Sequence, residues 1–483
     1  MSYTTTPYEA KVRRVWHLDH LRAICSLLGS PQSEAWRRVL SVGCGTGVHL
    51  IPLACEYPET TFIGCDPEIE PLSRGKSFAD SCGLKNLSFV EGTAADVDKE
   101  PFDLILVQGV YSWISTQQQS ELLAECAQRL SPEGIMLLTH NVAPGWTIRR
   151  VVQQYLESVG IHRARDISSA ELDRARDELK KFGDKINLDS PYGALIRAEI
   201  KRILGESASY LMHEFLNTET SGEPLSHLVE RSVEFGLSYL GDARFSRNPL
   251  PEGAGANRLE VAMARDFQRG IPYRESLFTR QAIRTNFPTI NKEALSSLSF
   301  GTLLVEDEEV RGDFRDPRGR EFSFGVEEVS YGVLRMLASN WPQFVKWSEL
   351  SNGIGDREEV LSGAVIELLN SELITIAYNP PRYSLSSTTV TAPPWLRWEL
   401  GVGSLLTNRL YEPVELGGFE TMLLSAIVSG LTSVDGLIRL TSSHLSVSPE
   451  HRSLPRGVIE DTVREGLRTL ARAGLVNEIV EEP

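Results

Sequence analysis

The chain has 483 residues, 65 acidic against 49 basic side chains and a formal charge of -16. That is too long for one ordinary domain, and it offers no surplus positive field for a phosphate backbone, which argues against nucleic acid as a partner. A hydrophobic share of 41% and a charged share of 24% exclude overall disorder and fibrous repeats. The six cysteines, Cys25, Cys44, Cys55, Cys65, Cys82 and Cys126, form no C-x-x-C pair, so buried free thiols in a reducing compartment are expected and no metal site. The start lacks an apolar h-region, and no apolar run approaches the roughly 18 residues of a membrane span. The expectation is a cytoplasmic chain without stable membrane insertion.

From Val39 onward, short apolar strands alternate with helical stretches, the pattern of a mostly parallel sheet covered by helices. Strands are predicted at 39–43, 61–66, 87–92, 101–109 and 134–140, and helices at 47–57 and 118–130. Pro52, lacking an N–H, should loosen the early turns of the first helix. After Asn141 comes a helix ending near Gly160, then a charged stretch, 164–185, whose spacing suits a solvent-facing helix. Residues 160–222 therefore read as a helical insertion. Segments 235–245 and 273–280 are candidates for the last two strands of a seven-stranded sheet, giving an α/β, Rossmann-like first domain over 1–290 with the late strands in 223–290.

Residues 291–483 contain a degenerate repeat: Met336-Leu-Ala-Ser339 and Met422-Leu-Leu-Ser425 each begin a succession of short helix, short helix, longer helix and apolar strand. The pattern predicts winged-helix-like modules at 291–395 and 396–483, with few basic residues, which favours packing or protein docking over DNA. Polar segments at 379–394 and 441–457 read as loops, and the acidic run 305–313 as a solvated one.

The strongest chemical signal is Val39-Leu-Ser-Val-Gly-Cys-Gly-Thr-Gly47, an apolar strand that runs into glycines and then a helix. Gly43, Cys44, Gly45 and Gly47 form a loop that lets backbone approach a ligand, and the helix start offers N–H groups to an anion. A dinucleotide fingerprint would need glycine where Val48 stands, so NAD is disfavoured. S-adenosylmethionine, whose amino acid end needs backbone contacts, suits the loop. Asp66 ends the second strand, where a carboxylate either accepts both ribose hydroxyls or caps the turn before Pro67. Thr93 and Ala94 follow the third strand and either border an adenine ring or form an ordinary loop, with Asp96 as a turn cap.

Two further elements carry a family resemblance: Gly109-Val-Tyr-Ser-Trp113 after the fourth strand, and Asn141 with Pro144-Gly-Trp146 after the fifth. With His17-Leu-Asp19, His213-Glu-Phe215, Asp266-Phe267 and Arg274, the chain over most of 1–290 resembles class I S-adenosylmethionine-dependent methyltransferases that carry a methyltransferase regulatory domain, a group including rickettsial protein-lysine methyltransferases of outer-membrane proteins. The resemblance implies a seven-stranded Rossmann-like sheet, S-adenosylmethionine as cofactor, a regulatory-type region over 223–290, and a cofactor site of Ser41, Gly43, Cys44, Gly45, Gly47, Asp66, Pro67, Thr93, Ala94, Gln108 and Gly109. Ser41 and Thr93 depart from the family's common acidic residues, and Phe278 stands where its C-terminal phrase has leucine.

An amine acceptor must be neutral before it attacks a sulfonium methyl, so a hydroxyl or carboxylate that orients it suffices. Tyr111 is the first candidate for that contact, its alternative being a hydrogen bond to a neighbouring loop. Trp113 forms an apolar wall or packs in the core, and Asn141 presents an amide to substrate. His213 and Glu214 either close over the pocket, with Glu214 on a substrate ammonium, or form a polar helix surface. Asp266 with Arg269 or Arg274 reads equally as an ion-pair network locking the late sheet. The leading expectation is transfer to protein or peptide lysine amines. Small-molecule or biosynthetic-peptide acceptors, a noncatalytic cofactor-binding scaffold and a homodimer stay open.

Overall fold

The computed structural model describes residues 12–30, 35–161, 167–216, 220–248, 257–281, 290–307, 309–317, 319–355, 358–380, 389–402, 406–445 and 455–478. Most of the two predicted polar loops, 381–388 and 446–454, lies outside them, as do the chain start and residues 164–166 of the charged stretch.

Helix α1 (Leu18–Leu27) precedes an alternation of β1 (Arg38–Val42), α2 (Leu50–Glu56), β2 (Thr61–Asp66), α3 (Ile69–Ser81), β3 (Leu87–Glu91), β4 (Phe102–Val107), α4 (Thr116–Arg129) and β5 (Leu130–Asn141). The chain continues through α5 (Gly145–Ser158), α6 (Ser169–Lys185), α7 (Pro191–Leu204), α8 (Ala208–Phe215) and α9 (Leu225–Val233) to β6 (Ser238–Asp242), α10 (Arg258–Arg269) and β7 (Tyr273–Thr279). The seven strands form one sheet in the order β3-β2-β1-β4-β5-β7-β6. The first five run parallel, and β7 is antiparallel to both β5 and β6. The central strands are mostly apolar because helices cover both faces: Leu104 and Leu106 point into one buried layer with α1, and Ile105 and Val107 into the other with α4.

The first helix after the glycine loop begins three residues later than its sequence pattern suggests. Pro52 consequently falls in the first turn of α2, where its missing N–H has no intrahelical acceptor to lose. The insertion is helical: α5, α6, α7 and α8 share an apolar core of Val152, Leu156, Leu179, Ile200 and Phe215. The late strands carry buried charge. Arg274 donates through Nε to both Asp266 oxygens at 3.0 Å, through Nη1 to Asp242 at 3.2 Å and through Nη2 to the Ala262 carbonyl at 3.1 Å. Glu275, with no exposed surface, takes Arg244 Nε at 2.6 Å.

Beyond the sheet domain come β8 (Ser299–Gly301), β9 (Val305–Glu306), β10 (Asp313–Arg315), β11 (Glu321–Ser323), α11 (Val329–Asn340), β12 (Val345–Lys346), α12 (Trp347–Ile354), α13 (Glu358–Asn370) and β13 (Thr375–Ala377). Strands β12-β8-β13 form a small sheet beside the three helices. The last elements are β14 (Val390–Thr391), α14 (Leu396–Val402), β15 (Leu406–Thr407), β16 (Pro413–Val414), α15 (Gly418–Val428), α16 (Val434–Leu445), α17 (Arg456–Arg472) and β17 (Asn477–Glu478). Strand β14 pairs with β17, so residues on the N-terminal side of the sequence boundary at 395/396 join the last three helices. Both helical modules are anchored. Asn379 N–H donates to Asp19 of α1 at 3.1 Å, and Phe78 of α3 meets Trp398 with ring centroids 3.9 Å apart. Among the described residues, no helix is long and apolar enough to cross a membrane.

Candidate cofactor and acceptor site

The loop after β1 is built from two N–H groups, Gly43 and Cys44, that both donate to the Cys65 carbonyl at 2.8 and 3.0 Å. Gly43 has φ +68°, and a Cβ there would lie 2.1 Å from Val110 Cγ2, so only glycine fits. Gly45 also has positive φ, +54°, but a Cβ on it would meet nothing within 4 Å. The loop therefore turns tightly beneath open space. Gly47 closes it by donating to the Cys44 carbonyl at 2.8 Å. The Cys44 thiol is buried and its pKa pushed well up by that burial, which makes it packing, not chemistry.

Asp66 stands at the end of β2, where its Oδ2 accepts from Gly45 N–H at 2.8 Å and its Oδ1 from Glu68 N–H at 3.0 Å. Burial raises its pKa while these two amides oppose the shift. Each oxygen keeps one lone pair for a diol, and the neighbouring Pro67 and Ile69 side chains are exposed beside it. Ile69, 57% exposed, is an apolar surface that the sequence reading missed. Thr93 is the N-cap of a short turn: its hydroxyl accepts from Ala95 N–H at 3.1 Å while Asp96 accepts from Thr93 N–H at 2.8 Å. The Asp96 cap reading holds. The Thr93 hydroxyl is already engaged in this turn, and Ala94 is fully buried.

Ser41 is fully buried and pairs with His49 Nε2 at 2.9 Å, and burial lowers the His49 pKa to about 4. This neutral pair occupies the place where an acidic residue would sit. Gln108 follows β4, and its Nε2 is buried without a hydrogen-bond partner among the described residues. Gly109 N–H donates to Thr139 Oγ1 at 2.8 Å, and its own Cβ position is open. Open space over Gly45 and Gly109, a carboxylate at Asp66 and an unanswered amide at Gln108 fit a nucleoside with a polar amino acid tail.

Of the two readings of Tyr111, the structure shows the hydrogen bond to a neighbouring segment. Its hydroxyl donates to Glu223 Oε1 at 2.8 Å and accepts from Arg231 Nη1, Arg231 also pairs with Glu223 at 3.0 Å, and the ring is 1% exposed in the layer with α4. Burial and then Glu223 push its pKa up. The group is a clamp for residues 221–223, which Gln119 and Asn141 also hold: Gln119 Nε2 donates to Ser221 Oγ at 3.2 Å and Asn141 Nδ2 to the Ser221 carbonyl at 3.2 Å. Asn141 is 4% exposed, so it too serves this segment. Trp113 is part-buried and meets Trp146 edge-on at 6.1 Å.

His213 and Glu214 lie on α8 of the insertion. His213 is buried, and the part-buried Glu214 has its carboxyl pushed up to about 7 by desolvation, opposed by Arg149, Arg202 and Arg13.

Residues 39–134 match the methyltransferase domain family. Strand order, glycine loop and this match together define an S-adenosylmethionine-dependent methyltransferase. The chain is 30% identical over 240 residues to an uncharacterized protein, RP028, of Rickettsia prowazekii (strain Madrid E), a match spanning 48% of this chain and 94% of that one. It belongs to that protein's family. A second R. prowazekii protein, the uncharacterized RP789, is 26% identical over 253 residues, 50% of this chain but only 44% of its own length. Among solved structures, PKMT2 from Rickettsia typhi superposes with TM-score 0.80 at 19% identity, covering 98% of this chain and all of that one, and the same fold is matched by its complex with AdoHcy.

Proposed function

We propose that the chain transfers methyl groups from S-adenosylmethionine to lysine amines of proteins or peptides. The observation that carries the reading is Glu214, a part-buried carboxyl on α8 whose pKa desolvation raises to about 7, a suitable receiver for a substrate ammonium. The resemblance to rickettsial protein-lysine methyltransferases supports it, as does a likeness to PKMT2 that extends through the C-terminal modules. In this reading Gly43, Cys44, Gly45 and Gly47 cradle the amino acid end, Ser41 acts through His49, and Asp66 takes the ribose with Pro67 beside it. Thr93, Ala94 and Ile69 border the adenine, and Gln108 and Gly109 approach the sulfur end. Trp113 with Trp146 walls off water, and His213 braces Glu214.

The bound cofactor supplies an electrophilic methyl on a sulfonium. Glu214 would take a proton from the acceptor ammonium, freeing the nitrogen lone pair for the methyl that the cofactor supplies, and would pass that proton to solvent. The experiment is incubation of the purified chain with methyl-labelled S-adenosylmethionine and bacterial lysate, followed by peptide mass spectrometry. Label on lysine side chains is expected. Label confined to small metabolites rejects the protein acceptor, and cofactor binding without transfer to any acceptor rejects catalysis.

A further inference from the structure

The motif His17-Leu-Asp19 carries no part of the cofactor or acceptor chemistry, yet both of its polar side chains are buried. It closes a segment, residues 13–19, that touches the sheet, the helix after the glycine loop and both C-terminal modules.

Toward the sheet domain, two consecutive side chains reach the two ends of α2. The Trp16 ring meets the His49 ring edge-on at 5.5 Å, and His49, the residue before α2, pairs with Ser41 of β1 at 2.9 Å. His17 Nε2 pairs at 3.2 Å with Oε2 of Glu56, the last residue of α2, and its ring lies edge-on to Tyr57 at 5.9 Å. A helix of seven residues is about 10 Å long, so these two neighbours in sequence hold both its position and its tilt. The glycine loop is tied to that helix. Leu50 and Ile51 N–H donate to the Gly47 carbonyl at 2.8 and 3.2 Å, and Gly47 N–H to the Cys44 carbonyl at 2.8 Å.

The same segment takes hold of both modules. Arg14 Nη2 pairs with Glu412 at 2.7 Å, and the His17 ring lies edge-on to Tyr411 with centroids 4.8 Å apart. Asp19 accepts from Asn379 N–H at 3.1 Å, and the Arg22 guanidinium lies 4.6 Å over the Tyr378 ring. Tyr378 and Asn379 follow β13 of the first module, and Tyr411 and Glu412 lie in the turn between β15 and β16 of the second. Tyr411 has φ +60°, a left-handed conformation that strains a bulky residue, and it is 1% exposed. Glycine would serve such a turn at lower cost, and what the tyrosine adds is a ring against His17. The second module also packs on α2 directly, since Ile51 shares a buried cluster with Leu396, Leu423 and Leu437.

We propose that Trp16 and His17 are positioning residues for the cofactor: they hold α2, and through it the glycine loop, in the place that docking of the C-terminal modules sets. Cofactor binding and tail docking then strengthen one another by equal factors, because a coupling between two such equilibria is reciprocal. The inference rests on cofactor binding at the glycine loop and is independent of the methyl acceptor, so a protein that labels no lysine leaves it standing.

The test reads both directions in the full chain, with AdoHcy as the probe. By calorimetry Tyr411→Gly, which suits the left-handed turn and removes the ring, should bind AdoHcy about fivefold more weakly than wild type, although the residue lies in the tail. Arg14→Glu should weaken AdoHcy about threefold, and combining it with Glu412→Arg should restore wild-type affinity, a rescue that general support of the fold does not predict. In the reverse direction, hydrogen exchange at the Tyr411 and Glu412 amides, both bonded to Asn408, should slow about fivefold on addition of AdoHcy to wild type and show no such response in His17→Gln. Wild-type AdoHcy affinity in both Tyr411→Gly and Arg14→Glu, or a charge exchange that restores nothing, overturns the proposal. The charge exchange decides the matter if Tyr411→Gly does not fold. A wild type that binds no AdoHcy removes the cofactor site and the coupling with it.

Discussion

The two ends of the one sheet treat polar groups in opposite ways. At the β5-β7-β6 end, Arg274 and Glu275 have no exposed surface, and the Arg274 donors run to Asp266, Asp242 and the Ala262 carbonyl. At the β2-β1-β4 end, Gly45 and Gly109 border open space and the buried Gln108 amide nitrogen donates to nothing among the described residues. Buried charge that is fully paired within the chain is structure, because leaving it unpaired costs far more than pairing it gains. A buried donor without a partner is costly to the empty protein, and such groups mark where a ligand completes the set. By this measure Tyr111, paired with Glu223 and Arg231, belongs with Arg274, although it sits next to the cofactor strand.

The largest effect is expected at the paired end. Arg274→Ala strands Asp266 and Asp242 as buried charges and should cost about 3–5 kcal/mol, enough to unfold much of the chain at ordinary temperature. Urea unfolding measures it, and a loss below about 1 kcal/mol would mean the network is solvated. At the open end, Gly45→Val should leave the melting temperature nearly intact apart from backbone strain at φ +54°, yet weaken AdoHcy by about a hundredfold, since its side chain enters the open space over the loop. Unchanged affinity would remove the loop from the site.

Tyr111→Phe separates the two ends most directly. It leaves Glu223 and Arg231 without the hydroxyl between them, which should cost about 1–3 kcal/mol of stability while cofactor affinity stays within a factor of two. A large loss of turnover with stability preserved would instead return Tyr111 to the acceptor pocket.

What the sequence revealed follows the same division. The strands were legible because sheet strands covered on both faces read as unbroken apolar runs, and β2 begins and ends where the pattern puts it, at Thr61 and Asp66. Helix α3 carries no comparable signal, since Pro71 and Gly75 interrupt its periodicity. In the site, the glycine loop and Asp66 are local in sequence and could be read as a unit. The partners of Tyr111 lie 112 and 120 residues away, so no spacing within one element could reveal them.

The smallest effect concerns Gln108, and its sign distinguishes a ligand group from a structural one. Removing a paired side chain weakens the protein whether or not cofactor is bound. Among the described residues Gln108 Nε2 has no partner, so Gln108→Leu removes an unpaid desolvation cost and should leave the free protein as stable as wild type or more so, by up to about 1 kcal/mol. With AdoHcy present the order should reverse: the wild-type amide gains an acceptor from the ligand that leucine cannot replace, and affinity should fall about fivefold in the variant. Thermal melts with and without AdoHcy read both halves at once. A variant that melts higher than wild type without ligand and gains less from its addition places Gln108 on the cofactor, whereas equal gains in the two proteins would assign the unpaired amide to some other neighbour of β4.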